Sequence, residues 1–410
     1  MELLACGHLA NEGPFRTCLH LCVEEASQVS RLYTGRGGDY HLLCVPCAKL
    51  DDPWSQLAVV CEGCTDRADA RSVAHVSGQP EVRRLDRPLG GVFCEEAAPV
   101  RPANDRCLAP MADGWLVYTG QHLVPSGGTS YKLELPADEE DDNGFGTPGP
   151  ALHVSSDGRF AAVVRDFGRY GVVVDLGDGR VTMRLDRQDY CNFATPFPIA
   201  FLPNGTLVVA TDWNRLDRFD PATGGLLTPR DTELRDSENP PPDYLDYFHG
   251  ALTVSPTGVW LLDDGWVWHP VGIPAVIDLA AWQDGQTFAA EHGHELVVRD
   301  YLWNQPASWV SDSVVAIQGI GDDSDALVDG VQLYDARSGA RVGTVFGPKG
   351  RMWGVDGQLA VVGEDGLEFW DRAEGARVGV LAGYRPTAYN PRTRTFAALD
   401  NQVLRTYCHG

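Results

Sequence analysis

Residues 151–185 read ALHVSSDGRFAAVVRDFGRYGVVVDLGDGRVTMRL, and this stretch decides the fold. Three breaks divide it: Ser156-Asp157-Gly158, residues 166–169, and Gly177-Asp178-Gly179. Between them lie four short runs, 151–155, 159–164, 171–175 and 180–185, rich in the valines that suit a pleated, half-buried strand. Gly, Asp and Ser end each run because they accept the backbone of a tight reversal. Four strands joined by tight turns make one antiparallel unit, which needs neighbours to bury its faces.

Fragments of the same unit recur to the end of the chain. Val331-Gln332-Leu333-Tyr334-Asp335, with Gly339 and the run 340–345, matches Leu367-Glu368-Phe369-Trp370-Asp371, with Gly375 and the run 376–381, at an offset of 36 residues. Looser copies close at Asp175, Asp220, His269 and Asp300. A four-stranded repeat every few tens of residues predicts a mainly β fold, a β-propeller. Inner turns give the blade count: 112–114, 156–158, 203–205, 256–258, 283–285, 322–325, 355–357 and 391–393, eight in all. If the short unit at Asp284 is an insertion, the count is seven. The propeller is assigned to residues 71–410.

Residues 386–391, 395–399 and 402–407 supply only three strands before the chain stops. An open last blade would leave an unpaired edge. A strand from 72–95, with 80–85 the first choice, is therefore expected to close it. Trp260, Trp266, Trp282, Trp353 and Trp370 are expected in the cores between blades. Trp370-Asp371 resembles the Trp-Asp dipeptide of WD40 repeats; the Gly-His pair of that family does not accompany it. The resemblance therefore implies a WD40-like, generic propeller.

Residues 1–70 have a different chemistry. Seven of the 11 cysteines lie between Cys6 and Cys64. The candidate donors are Cys6-x-His8, Cys18-x-His20-x-Cys22, His41-x-x-Cys44-x-x-Cys47 and Cys61-x-x-Cys64. A Cys-x-x-Cys turn lets two thiolates converge on one tetrahedral ion, so Cys44/Cys47 and Cys61/Cys64 read as a zinc site. A thioredoxin-like redox pair would need a βαβ pattern, which neither pair has. Cys6, His8, Cys18 and Cys22, with His20 and His41 in reserve, suffice for a second zinc. Structural zinc contributes roughly 10–16 kcal/mol, which is folding energy for so small a unit.

His41, Cys44, Cys47, Cys61 and Cys64 resemble the second half of a RING finger. That resemblance implies two zincs in cross-braced order, Cys6/His8 sharing an ion with Cys44/Cys47, and Cys18/Cys22 with Cys61/Cys64. Asp39 stands where the family has a cysteine, and the first pair is Cys-x-His. A treble-clef finger is the other family the spacing resembles.

Composition bounds the partners. The net charge is −24, and an acidic surface repels nucleic-acid phosphate and anionic lipid, so neither is an expected partner. Only Lys49, Lys132 and Lys349 are lysines among 33 basic residues, a codon-usage sign of a GC-rich bacterial genome. Leu3-Leu4-Ala5-Cys6 matches the end of a lipobox, but no basic n-region or apolar core precedes it. A cytoplasmic location is the expectation, where cysteines are reduced or metal-bound.

Other clusters read as structural. His292-Gly293-His294 between Glu291 and Glu295 reads as a polar hairpin. The acidic run 138–142 lacks Ca²⁺-loop spacing. Residues 238–243 read as a stiff surface loop and Cys191 as an inert thiol. With no phosphate loop or nucleophile elbow, no catalytic or cofactor-binding residue is assigned. The leading reading is an intracellular scaffold or adaptor with protein partners, an enzyme being the less favoured class. The alternatives are a RING-like ligase subunit of a ubiquitin-like system, and a propeller hydrolase or lyase acting at the central funnel.

Overall fold

A computed structural model describes residues 3–9, 15–23, 29–33, 40–74, 82–98, 100–137, 145–231, 241, 243–268, 270–321 and 327–410. Within residues 149–186 the strands are Gly149–Val154, Phe160–Asp166, Tyr170–Asp175 and Arg180–Asp186, paired antiparallel in chain order. The deciding stretch therefore folds as its turns require. Gly158 and Gly179 take φ of +73° and +76°, which their position in the reversals demands.

Seven such sheets follow one another among the described residues after residue 82. The first runs from Leu108–Met111 to Tyr131–Lys132, the second is described above, and the third runs from Ile199–Phe201 to Gly225–Leu226. The fourth is larger, from Phe248–Val254 to Arg299–Asp300, and carries a short helix, Leu279–Gln283. The fifth runs from Ala307–Trp309 to Arg341–Phe346, the sixth from Met352–Val355 to Ala376–Ala382, and the seventh from Ala388–Asn390 to Val403–His409. This is a mainly β, propeller-like arrangement.

Each sheet shares a core with the next. Leu116 and Leu123 meet Val163 and Val174 between the first and second sheets, and Phe160 meets Ile199 and Leu207 between the second and third. Trp282 fills the space between the third and fourth. Trp309 and Val315 meet Leu262 between the fourth and fifth, and Trp370 meets Val331 and Val345 between the fifth and sixth. Phe369 meets Phe396 and Tyr407 between the sixth and seventh. Leu404 and Ala397 of the seventh sheet meet Leu108 and Trp115 of the first. Each fully buried side chain of this kind stabilises by roughly 1.5–3 kcal/mol, so the sheets hold one another through these seams.

The eight counted turns and the seven sheets among the described residues differ at two places. Residues 283–285 end the helix Leu279–Gln283 inside the fourth sheet and start no sheet. Residues 322–325 lie outside the described residues, between the second and third strands of the fifth sheet, whose first turn is Ser311-Asp312-Ser313. Ser311-Asp312-Ser313 carries a turn signal of its own, and it was not among the turns counted.

The fourth strand of the seventh sheet is Gly91–Ala97, laid antiparallel on Val403–His409 from Gly91↔His409 to Ala97↔Val403. Residues 80–85 do something else. Pro80 and Glu81 lie outside the described residues, and Arg83–Arg84 pairs in parallel with Ala376 and Arg377 at the edge of the sixth sheet. Buried Arg377 holds that segment, binding Asp86 at 2.9 Å, Asp365 at 2.5 Å and Glu368 at 3.2 Å. A two-arginine segment pairs where carboxylates already surround it, and alternation alone did not reveal that.

Trp260, Trp282, Trp353 and Trp370 pack in inter-sheet cores. Trp266 does not. It stacks on Phe248 at 4.5 Å in a separate aromatic group.

Residues 3–74 hold their own sheet, ordered Val29–Tyr33, Tyr40–Cys44, Phe15–Cys18, Leu57–Val60. Among the described residues three α-helices accompany it, α1 (Leu19–Cys22), α2 (Val45–Ala48) and α3 (Glu62–Ala74), with a 3-10 helix at Pro53–Gln56. Its core contains Leu21, Leu42, Leu43 and Ala68 with Cys18, Cys44 and Cys47. No helix among the described residues is long and apolar enough to cross a membrane.

Candidate metal centre

Each α-helix described in the N-terminal module starts at a cysteine that ends a strand or directly follows one. Cys18 ends Phe15–Cys18 and caps α1; Cys44 ends Tyr40–Cys44 and caps α2, with Pro46 preset for the first helical turn. Cys61 follows Leu57–Val60 and precedes α3, and the Cys64 N–H donates to the Cys61 carbonyl at 3.0 Å. The change from extended to helical backbone turns both sulfurs of each Cys-x-x-Cys to one side.

Cys6 and His8 come from a tight turn bridged by Leu3 and Leu9. Gly7 has φ +79°, and its N–H donates to the Leu4 carbonyl at 2.9 Å. The Ala5 N–H donates to the Val59 carbonyl at 3.1 Å, which fixes this turn beside the strand leading to Cys61.

The donors form two groups, Cys6/His8/Cys61/Cys64 and Cys18/His20/Cys44/Cys47. Within each, all four ligand atoms lie within 4.8 Å of one another. His8 Nδ1 stands 3.1 Å from Cys61 Sγ and 3.4 Å from Cys64 Sγ. His20 Nδ1 stands 3.3 Å from Cys47 Sγ and 3.7 Å from Cys44 Sγ. A tetrahedral ion with bonds of about 2.0–2.3 Å separates its ligands by roughly 3.3–3.8 Å, close to these distances, so both groups could hold a metal ion.

Burial and the Cys44 thiol push Cys47 up to about 12, and burial with Cys61 and Cys6 does the same to Cys64. Burial also raises Cys18. At Cys6 burial raises the thiol, but backbone hydrogen bonds at Cys61 and His8 outweigh it and the net shift is downward. Thiols crowded this closely resist ionising together unless a cation shares them. Two further donors already face the sulfurs. The Cys44 N–H points at Cys18 Sγ at 3.1 Å, and the Arg67 guanidinium reaches Cys64 Sγ at 3.1 Å. Such partners orient ligands and offset thiolate charge.

The pairing departs from the cross-braced order. Cys6/His8 meets Cys61/Cys64, the outer pairs, and Cys18/His20 meets Cys44/Cys47, the inner pairs. The parallel pairing of Phe15–Cys18 with Tyr40–Cys44 brings the two inner cysteines to one end of the sheet. Cys22 and His41 stand in neither group. Cys22 lies at the far end of α1, a turn beyond Cys18, and His20 takes the fourth place. His41 is three residues before Cys44 on a strand, so alternation turns it to the opposite face, where it meets Trp54 edge-on at 5.9 Å.

The remaining clusters are structural in their contacts. Buried Glu291 accepts from Arg230, which also binds Asp217 at 2.6 Å; exposed His292 binds Asp243 at 2.9 Å. The acidic run 138–142 lies outside the described residues. Cys191 is raised by burial. Missed in the sequence were the buried pair His249–Asp263, at 2.5 Å, and buried Asp264, raised to about 7 by burial and the charge of Asp263.

No family model matches the sequence, and no curated protein matches it. Among solved structures the chain is similar to one in a structure of the mitotic checkpoint complex, at 13% identity and a TM-score of 0.49, covering 81% of this chain and 96% of that one. It is similar to BamB from Moraxella catarrhalis at 12% identity and 0.44, covering 78% and 98%. It is also similar to a chain of Kuenenia stuttgartiensis hydrazine synthase at 15% identity and 0.47, covering 74% and 94%.

Proposed function

We propose that the chain is an intracellular protein-interaction scaffold: a seven-bladed β-propeller, closed by Gly91–Ala97, joined to a module folded round two zinc ions. The observation that carries this reading is the donor count. Each Cys/His group supplies four protein ligands, which fills a tetrahedral ion and leaves no position for substrate. The metal then holds the strand ends and helix starts together, and the chemistry it supplies is cohesion.

Around those ligands the module exposes large apolar side chains, Leu3, Leu9, Leu19, Val23, Leu50 and Trp54. Leu3 is 68% exposed and Trp54 48%. Apolar exposure concentrated on so small a unit is the mark of a partner surface. No disulfide joins any of the 11 cysteines, which suits a reducing compartment. The RING-like ligase reading draws on a cross-braced order that Cys18, His20, Cys44 and Cys47 do not follow.

The test is affinity capture with the full chain, wild type against Leu50→Asp with Trp54→Asp, beside elemental analysis of both proteins. The expected result is two zincs in each and a specific protein retained only by the wild type. Capture of the same proteins by both, or by neither, would refute the scaffold reading at this surface.

A further inference from the structure

The connection through residues 187–198, the turn at Trp213 in the third sheet and Trp268, just past Trp260–Val267 of the fourth, meet at one end of those sheets. Buried Phe248 is the floor of a group of rings there. Trp213 stands 4.7 Å from it, Tyr190 6.2 Å and stacked, and Trp268 5.6 Å and edge-on. Tyr190 and Trp213 also meet at 5.3 Å. Tyr190 and Trp268 leave half of their surface in water. Arginines elsewhere cover Phe160, Tyr170, Phe197 and Trp282; among the described residues none covers these rings.

Carboxylates border the same rings. Asp212 accepts the Trp213 N–H at 2.8 Å. Its register partner is Arg215, but that guanidinium is committed to Asp217 at 2.7 and 3.2 Å and to the Arg230 carbonyl at 3.1 Å. Asp189 precedes Tyr190 in the chain, and Asp246 lies two residues before Phe248. Asp189 acts electrostatically on Asp212, while Asp246, Tyr190 and Asp212 all act on Tyr244, so these groups share one neighbourhood. Arg215 acts electrostatically on Asp212 and Arg169 on Asp189, but among the described residues no ion pair within 4.0 Å is made by Asp189, Asp212 or Asp246.

We propose that this rim docks an arginine-bearing segment of a partner protein. A guanidinium is planar, weakly hydrated and always charged, so it can lie on Tyr190 or Trp268 while its N–H fork reaches a carboxylate. A lysine ammonium holds its water more tightly and uses flat rings less well. The chain's charge of −24 also steers basic segments toward it. The proposal rests on the scaffold reading and names the partner chemistry at a second surface, apart from Leu50 and Trp54.

The test is calorimetric titration of the full chain, at physiological salt, with a capped Gly/Ser peptide carrying a pair of arginines, and with its lysine and citrulline twins. Binding is expected for the arginine peptide, roughly tenfold weaker for lysine, and undetectable for citrulline. Tyr190→Ala with Trp268→Ala, both at half-exposed sites, should weaken binding at least tenfold, as should Asp212→Asn. Asp113→Asn, in the first turn of the first sheet, should leave it unchanged. Equal binding by the ring double variant, equal losses from Asp113→Asn and Asp212→Asn, equal binding of the lysine twin, or no binding at all would each overturn it. If partner capture through Leu50 and Trp54 succeeds while the arginine peptide fails, only this rim proposal falls. The reverse result removes the module surface and leaves the rim.

Discussion

The backbone N–H of Cys44 donates to Cys18 Sγ at 3.1 Å, across two parallel strands that end side by side. That contact ties the second donor pair to the third and leaves the first to meet the fourth. The nested order has a stoichiometric consequence. Cys6→Ser and Cys61→Ser should each lose the same ion, and the double variant should lose no more than either alone. Cys18→Ser with Cys61→Ser should lose both. Cys22→Ser and His41→Ala should retain both. Elemental mass spectrometry per chain decides it; loss of both ions from the Cys6/Cys61 double variant would restore the cross-braced order.

Arg230 is buried between Asp217 and Glu291, with its side chain 1% exposed. Arg230→Met should cost about 3–5 kcal/mol, because it strands the Glu291 carboxylate in the interior. Adding Glu291→Leu should recover part of that loss, since no buried charge is then left alone. Chemical denaturation of the two single variants and the double gives the coupling. Strict additivity would show that the pair does not act as a unit.

Asp264 is a buried acid raised to about 7 by burial and by Asp263. A carboxyl raised in the fold favours the protonated form. Its contribution is therefore full below the unfolded value of about 3.9 and is lost as pH rises toward 7, by roughly 4 kcal/mol in total. Asp264→Asn removes this dependence. Relative to wild type, the variant should gain thermal stability between pH 5 and pH 8, as read by scanning calorimetry. A wild-type-minus-variant difference that does not change with pH would contradict the assignment.

Gly91 begins the strand that completes the seventh sheet and has φ +148°. A Cβ there would lie 2.5 Å from the Tyr407 ring and 2.6 Å from the Cys408 carbonyl. Gly91→Val should therefore destabilise by about 2 kcal/mol or more, through overpacking and backbone strain together. Gly375→Ala is the control. Gly375 also has positive φ (+59°), but a Cβ there meets nothing within 4 Å. Equal losses from both substitutions would show that the seam at Tyr407 is not tight.

The strands of residues 149–186 were legible to within two residues at each end, because valine runs and Asp-Gly turns act over a few neighbouring residues. The Cys-x-x-Cys pairs were legible for the same reason: two thiols three residues apart converge through local backbone alone. The eight counted turns and the seven described sheets differ at Asp284, the unit that the alternative count of seven treats as an insertion, and the turn at Asp312 was not among those counted. A glycine turn that ends a short helix looks like one that joins strands, and an Asp-Ser turn can join strands with no glycine.

By itself, then, the sequence determined the repeating strand unit and the paired Cys-x-x-Cys turns, both set by short-range conformational preference. Only the tertiary structure decided which Cys/His pairs stand together, that His20 joins Cys18, Cys44 and Cys47 while Cys22 and His41 do not, and that Gly91–Ala97 lies beside residues some three hundred positions later. Those choices depend on strand register and on contacts between distant segments. A cysteine's identity carries no information about which end of which parallel strand it will meet.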